Sequence, residues 1–207
     1  MFKKLLAGVA GLVMLGATGS ANAAFIPVGP QSDISVATVT GTWGWSVCWT
    51  GLFGSSSTSV ASALAGCSGD YLMMASRVVG SATFDLLAAA PTADVIFNTG
   101  TSNTTHNANG TEWYFNDSWS WGFAPGGDSV SRNSCDTISG DQHMCWHTNA
   151  GNITSGYRSG NNFLNGNNGW ERLLLVANFS VPEPASLGLF GLGLVGIGFA
   201  ARRRTSR

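Results

Sequence analysis

Glu112, Asp117 and Glu171 are the carboxylates from which a glycosidase pair could be drawn. Such an enzyme needs two of them on one cleft, one to protonate the leaving oxygen and one to activate water or attack the sugar, and spacing along the chain sets no distance between them. Asp141, His143 and His147 are acid–base or metal candidates. The two histidines flank Cys145 in His-Met-Cys-Trp-His, but the paired Cys-x-x-Cys knuckles of structural zinc sites are missing. Asp128, Asp136 and Asp141 do not form an EF-hand loop, and the Asn-Gly segments lack the aspartates of calcium-binding nonapeptide repeats. There is no G-x-S-x-G elbow, no H-E-x-x-H, no P-loop and no G-x-G-x-x-G opening a helix. The residues therefore assign no catalytic group, no metal and no cofactor.

The tryptophans offer a different chemistry. Trp43, Trp45, Trp119 and Trp121 recur at alternate positions, so a strand would set large rings on one face. That face is either hydrophobic core or a platform that stacks on sugar rings. Two segments rich in hydrogen-bonding side chains, Thr99 to Gly110 and Gly151 to Gly169, read as loops between strands; the second holds six Asn and five Gly. A platform for sugars needs both surfaces together, a ring face and an amide rim, which predicts at least one of the four rings exposed beside Asn161 to Asn168.

These residues need strands to position them. Asp33 to Trp49 alternates for much of its length, and Tyr71 to Val79, Ala82 to Ala88, Asp94 to Phe97, Glu112 to Phe115, Ser118 to Phe123, Met144 to His147 and Leu173 to Phe179 are further candidates. Leu86 to Ala90 reads alternatively as a helical turn ended before Pro91. Asn116-Asp117 predicts a turn that splits Phe115 from Ser118. Short strands with frequent turn signals predict a single antiparallel β-sandwich or jelly-roll-like domain.

The two ends of the chain differ from its middle. Lys3 and Lys4 precede an apolar run, Leu5 to Ala17, and Ala21-Asn22-Ala23 carries small residues where signal peptidase cuts. Residues 1–23 read as a signal peptide handed to the Sec translocon and removed by signal peptidase. At the other end Pro182-Glu183-Pro184 runs into a Gly-rich apolar stretch, Ser186 to Ala201, that stops at Arg202-Arg203-Arg204. About 15 to 17 residues at 1.5 Å rise reach roughly 23 to 25 Å, a marginal transmembrane helix with its arginines in the cytoplasm. Triplet, span and arginine cluster in this order resemble the PEP-CTERM sorting signal of exopolysaccharide-producing Gram-negative bacteria. The resemblance implies transient anchoring in the inner membrane, cutting by an exosortase-type membrane protease, and release to the cell surface or extracellular matrix. Retention as a permanent anchor is the alternative.

Between the signals lies an exported domain, residues 24–181. It has no lysine, four arginines and ten acids, a net charge of −6 against −1 for the whole chain, which excludes nucleic acid and anionic lipid as partners. One core is what 158 residues support. All four cysteines fall here, and an oxidising compartment makes an even count a disulfide framework. Of three pairings, Cys48 with Cys67 and Cys135 with Cys145 close the shortest loops, although crossed pairing stays open.

Further motifs run through this domain: Ala93-Asp94-Val95-Ile96-Phe97-Asn98-Thr99-Gly100, His106-Asn107-Ala108-Asn109-Gly110, Trp121-Gly122-Phe123-Ala124, Cys145-Trp146-His147-Thr148, Gly156-Tyr157-Arg158-Ser159-Gly160 and Trp170-Glu171-Arg172. On these it resembles a group of small, secreted, cysteine-containing bacterial domains. That resemblance carries no activity; it implies cysteines where this chain has Ser76 and Ser159. The combined expectation is a non-catalytic structural or carbohydrate-associated component of the exopolysaccharide envelope, with a secreted glycoside hydrolase as the alternative.

Overall fold

A computed structural model describes residues 24–55, 58–100, 104–128 and 140–178. In chain order these form β1 (Gln31–Ser35), a π-helical turn (Thr38–Thr42), β2 (Ser46–Leu52), β3 (Thr58–Ser59), α1 (Val60–Leu64), β4 (Tyr71–Val78), β5 (Thr83–Pro91) and α2 (Thr92–Val95). There follow β6 (His106–Ala108), β7 (Thr111–Phe115), β8 (Ser120–Pro125), β9 (Met144–Asn149), β10 (Asn152–Ser159), β11 (Asn162–Phe163) and β12 (Trp170–Ala177). One sheet has the order β1-β5-β4-β12-β2 and the other β11-β10-β9-β8-β7-β6, with β3 added to β10. Among the described residues every ladder is antiparallel, so the expected mainly β, antiparallel class is what the chain builds. Among the described residues no helix is long and apolar enough to cross a membrane.

Strand β4 explains the layering. Leu72, Met73, Met74 and Ala75 are all fully buried, which period two allows only if both faces of the sheet are covered. Leu72 and Met74 face the second sheet, packing in one core with Leu86, Ala88, Trp113, Trp121, Phe123 and Trp146. Met73 and Ala75 point the other way, into a second core with Val39, Trp45, Phe84, Leu87 and Leu175. The N-terminal segment covers that outer face, where the Trp45 indole donates to Phe25 O at 2.9 Å.

A buried charge lies in the core between the sheets. Arg172 on β12 is 2% exposed. Its guanidinium donates to Thr154 O at 2.7 Å, Gly156 O at 3.1 Å and Ser55 O at 3.5 Å. The rings of Phe53, Trp146 and Trp49 surround it, with centroids 5.6, 5.8 and 6.0 Å away. Desolvation by burial pulls its pKa down from the ordinary arginine value to about 10, so it stays cationic at neutral pH.

Four sequence expectations are corrected. Asp33 to Trp49 is not one strand: the Ser35 hydroxyl accepts the Thr38 N–H at 3.0 Å and the Thr40 hydroxyl donates to Val36 O at 2.9 Å, so local side-chain bonds turn the chain between β1 and β2. Trp45 and Trp49 then do not share a face. The β12 ladder shifts register between Trp49 and Val47, and this bulge sends Trp45 to the outer core and Trp49 to the inter-sheet core. Asp94 to Phe97 is not a strand: Asp94 and Val95 end α2, which follows Pro91, and Ile96 and Phe97 lie beyond it, whereas Leu86 to Ala90 belongs to β5 and is no helical turn. The segments read as loops contain strands, β6 in the first and β10 and β11 in the second.

Cys48 and Cys67 are bonded, with Cα atoms 5.1 Å apart. The bridge pins the segment after α1 against β2 and contributes about 2 to 4 kcal/mol. Cys145 is fully buried and is not a free thiol. Its expected partner Cys135 lies outside the described residues, as do the signal peptide and Pro182, Glu183, Pro184, Arg202, Arg203 and Arg204.

Candidate functional site

The three carboxylates singled out for hydrolysis have separate neighbourhoods. Glu112 on β7 accepts from the Thr105 hydroxyl and the Asn107 amide at 2.7 Å each and from Gly127 N–H at 3.1 Å. Desolvation pushes its pKa up, but these hydrogen bonds together hold it below the ordinary value. Glu171 on β12 pairs with Arg77 at 2.5 Å. Asp117 sits in the β7–β8 turn, where it accepts from the Ser118 hydroxyl at 3.1 Å. That turn is where Asn116-Asp117 predicts it, closed by Asn116 N–H to Ser120 O at 2.9 Å.

The histidines are placed apart as well. His143 is buried, with Nε2 3.2 Å from Asp128 Oδ2, while the His147 ring stacks on Tyr157 at 4.9 Å. With Cys145 not a free thiol, the zinc reading loses its sulfur ligand. Among the described residues no group of His, Cys, Asp and Glu is arranged to hold a metal.

Two of the four platform tryptophans are core. Trp45 is buried in the outer-face cluster, and Trp121 is fully buried, its indole donating to Val95 O at 3.0 Å. Trp43 is half-buried against Phe25, ring centroids 5.0 Å apart. Trp119 is 38% exposed, on the turn before β8, with its carbonyl accepting Thr148 N–H. The Asn-rich loop packs elsewhere, against Gly54 and Gly156.

Other rings stand at that loop. His147 on β9, Tyr157 on β10 and Phe163 on β11 form a row: His147 stacks on Tyr157, and Tyr157 meets Phe163 edge-on at 5.8 Å. Phe163 is 63% exposed. The Arg158 guanidinium lies 4.8 Å from the Phe163 centroid and 5.7 Å from that of Tyr157, which fixes both rings. Asn165 borders the row. Gly156, at φ +94°, lets the Asn165 amide oxygen reach the backbone beside Tyr157, since a side chain there would collide with it. Sequence reading passes over this row because its members sit one per strand, in segments whose Asn, Gly and Ser content reads as loop.

Around the β10–β11 turn lies a polar cleft of about 210 Å³. Both sheets supply its walls: Asp33 from β1 and Asp85 from β5, facing Asn161 and Asn162, with Asp141 alongside. Asp85 accepts from the Ser159 hydroxyl at 2.6 Å, and the Ser159 oxygen is 2.6 Å from that of Ser76. Burial pushes the Asp85 pKa up; the Ser159 bond opposes this and the Asp33 charge adds to it.

Comparison with known proteins bears on the chain's C-terminus. Residues 180–204 match the PEP-CTERM protein-sorting motif. The chain carries that sorting signal. A PEP-CTERM motif is processed by exosortase, a membrane protease, and marks an exported protein for sorting to the cell surface. No curated protein and no solved structure matches the chain.

Proposed function

We propose that residues 24–181 are a non-catalytic surface domain that associates with exopolysaccharide through the row of His147, Tyr157 and Phe163 and the amides of Asn161 to Asn165. The exposed Phe163 ring beside those amides carries this reading. Sugars present apolar ring faces edged by hydroxyls, and the corner offers a fixed aromatic surface next to carboxamide donors and acceptors. A domain charge of −6 with no lysine favours a neutral or cationic polymer over an acidic one. The signals at the two ends deliver the domain: signal peptidase frees Ala24, and exosortase removes the segment beyond Pro182-Glu183-Pro184. Intact mass of the surface form checks that delivery, and a form that retains Arg202 to Arg204 would be permanently anchored instead.

The binding test is a glycan array and a polysaccharide pull-down with the surface form and its Phe163→Ala variant. Loss of an exposed stacking ring should weaken binding about tenfold or more and leave the melting temperature unchanged. Equal binding by the variant removes the row from the reading. A hydrolase remains the second reading because of one observation, the raised Asp85 carboxyl in a cleft with Asp33 and Asp141, since a glycosidase acid needs such a shift. Depolymerisation by the native domain and not by Asp85→Asn would establish it.

A further inference from the structure

The chain has three Asn-Gly steps, Asn109-Gly110, Asn165-Gly166 and Asn168-Gly169. An Asn followed by Gly is chemically labile, because the next backbone nitrogen meets no side chain as it approaches the amide carbon and glycine adopts the angles this requires. The structure sets the three apart. Asn109 is locked, its amide donating to Pro27 O at 2.7 Å and Ala89 O at 2.8 Å. At Asn168-Gly169 the attacking nitrogen is engaged, since Gly169 N–H donates to Asn167 Oδ1 at 2.8 Å.

Asn165-Gly166 has neither restraint. Asn165 is exposed, and among the described residues its amide makes no hydrogen bond. Gly166 has φ +68° and open space where a side chain would stand. The turn that holds the pair is closed by a single backbone bond, Asn167 N–H to Leu164 O at 3.1 Å, and rests on Gly54 through the Gly166 carbonyl.

We propose that Asn165 is a site of spontaneous deamidation, so that the domain carries its own chemical clock. The Gly166 nitrogen, losing its proton, bonds to Asn165 Cγ; the Cγ–Nδ2 bond breaks and the amide leaves as ammonia. Water then opens the five-membered imide at either carbonyl, giving aspartate or isoaspartate. Nothing is oxidised or reduced, and the domain gains one negative charge beside Gly156 and the His147–Tyr157 stack. If the glycan reading of that corner holds, the added carboxylate changes affinity as the protein ages outside the cell; the chemistry itself does not depend on that reading.

The experiment incubates folded full-length protein at mildly alkaline pH and maps chymotryptic peptides by mass at intervals. The amide-to-acid mass gain should accumulate at Asn165 roughly tenfold ahead of Asn109 and Asn168, because held groups forfeit the approach geometry, and Asn165→Gln should abolish it. Deamidation first at Asn109 or Asn168, or equal rates at all three, overturns the assignment, as does an unmodified Asn165 after denatured protein has reacted. Glycan binding by Asn165→Asp is read separately. No change there leaves the clock standing and removes only its effect on the site.

Discussion

Arg172→Met should lower the stability of the exported domain by about 3 kcal/mol or more, the sum expected when two buried carbonyls lose their donor. The methionine would fill the space among Trp49, Phe53 and Trp146 well enough, since it is flexible and polarisable. What it cannot do is donate. Thr154 O and Gly156 O would then be left buried and unpaired, at about 1 to 3 kcal/mol for each group. The sign with pH comes from the depressed pKa. Below about 10 the group is protonated folded and unfolded alike, so its contribution is constant across neutral and acid pH; only at more alkaline values does the unfolded chain hold the proton better. Urea unfolding at pH 7 measures the loss. Arg172→Lys should recover only part of it, because a single ammonium cannot reach three carbonyls as a planar fork does. A loss below about 1 kcal/mol would mean that the desolvated charge costs nearly what its hydrogen bonds contribute.

That arginine also shows what the sequence leaves unread. Trp170-Glu171-Arg172 stands at the head of an apolar run, and nothing in its type or spacing separates Glu171, which pairs with Arg77, from Arg172, which points between the sheets. Strands with apolar runs, such as β4, β7, β9 and β12, are legible because hydrophobic burial writes itself into residue type. Strand β10 is not: Asn-Ile-Thr-Ser-Gly-Tyr-Arg-Ser is held by ladders to β9, β3 and β11, and backbone hydrogen bonding leaves no mark on composition. The candidate site suffers from the same silence, because His147, Tyr157 and Phe163 meet only through that strand. The tryptophans mislead for a related reason. Their alternation is real, but a bulge in β2 and burial of Trp121 under α2 put Trp45 and Trp121 in the core, while Trp43 stays half-buried and Trp119 exposed.

Ser76 and Ser159 form a buried hydroxyl pair that ties the two sheets together. Their oxygens lie 2.6 Å apart, joining β4 of one sheet to β10 of the other across 83 positions, and both residues are fully buried. Ser159 has one proton and gives it to Asp85, so Ser76 must donate to Ser159. Replacing both by cysteine should form a bridge between the sheets, because sulfur stands further from Cβ than oxygen does and two such atoms come within the bonding distance of about 2.0 Å. Closing so long a loop should stabilise the domain by about 2 to 4 kcal/mol through the entropy of the unfolded chain. Part of that is offset, since Asp85 loses a donor while burial still pushes its carboxyl up, and its pKa should climb further. Thermal melts with and without reductant isolate the bridge: the gain should vanish on reduction, leaving the reduced variant below the native protein. The Ser76→Ala, Ser159→Ala double variant supplies the reference, removing the hydroxyls and any cross-link together. If the two thiols stay titratable under oxidising conditions, the side chains do not meet in solution and the placement of β10 across from β4 is wrong. If the bridge forms, the hydroxyl pair is a reversible link in the place of a covalent one, and the sheets part more readily at the edge where the polar cleft opens.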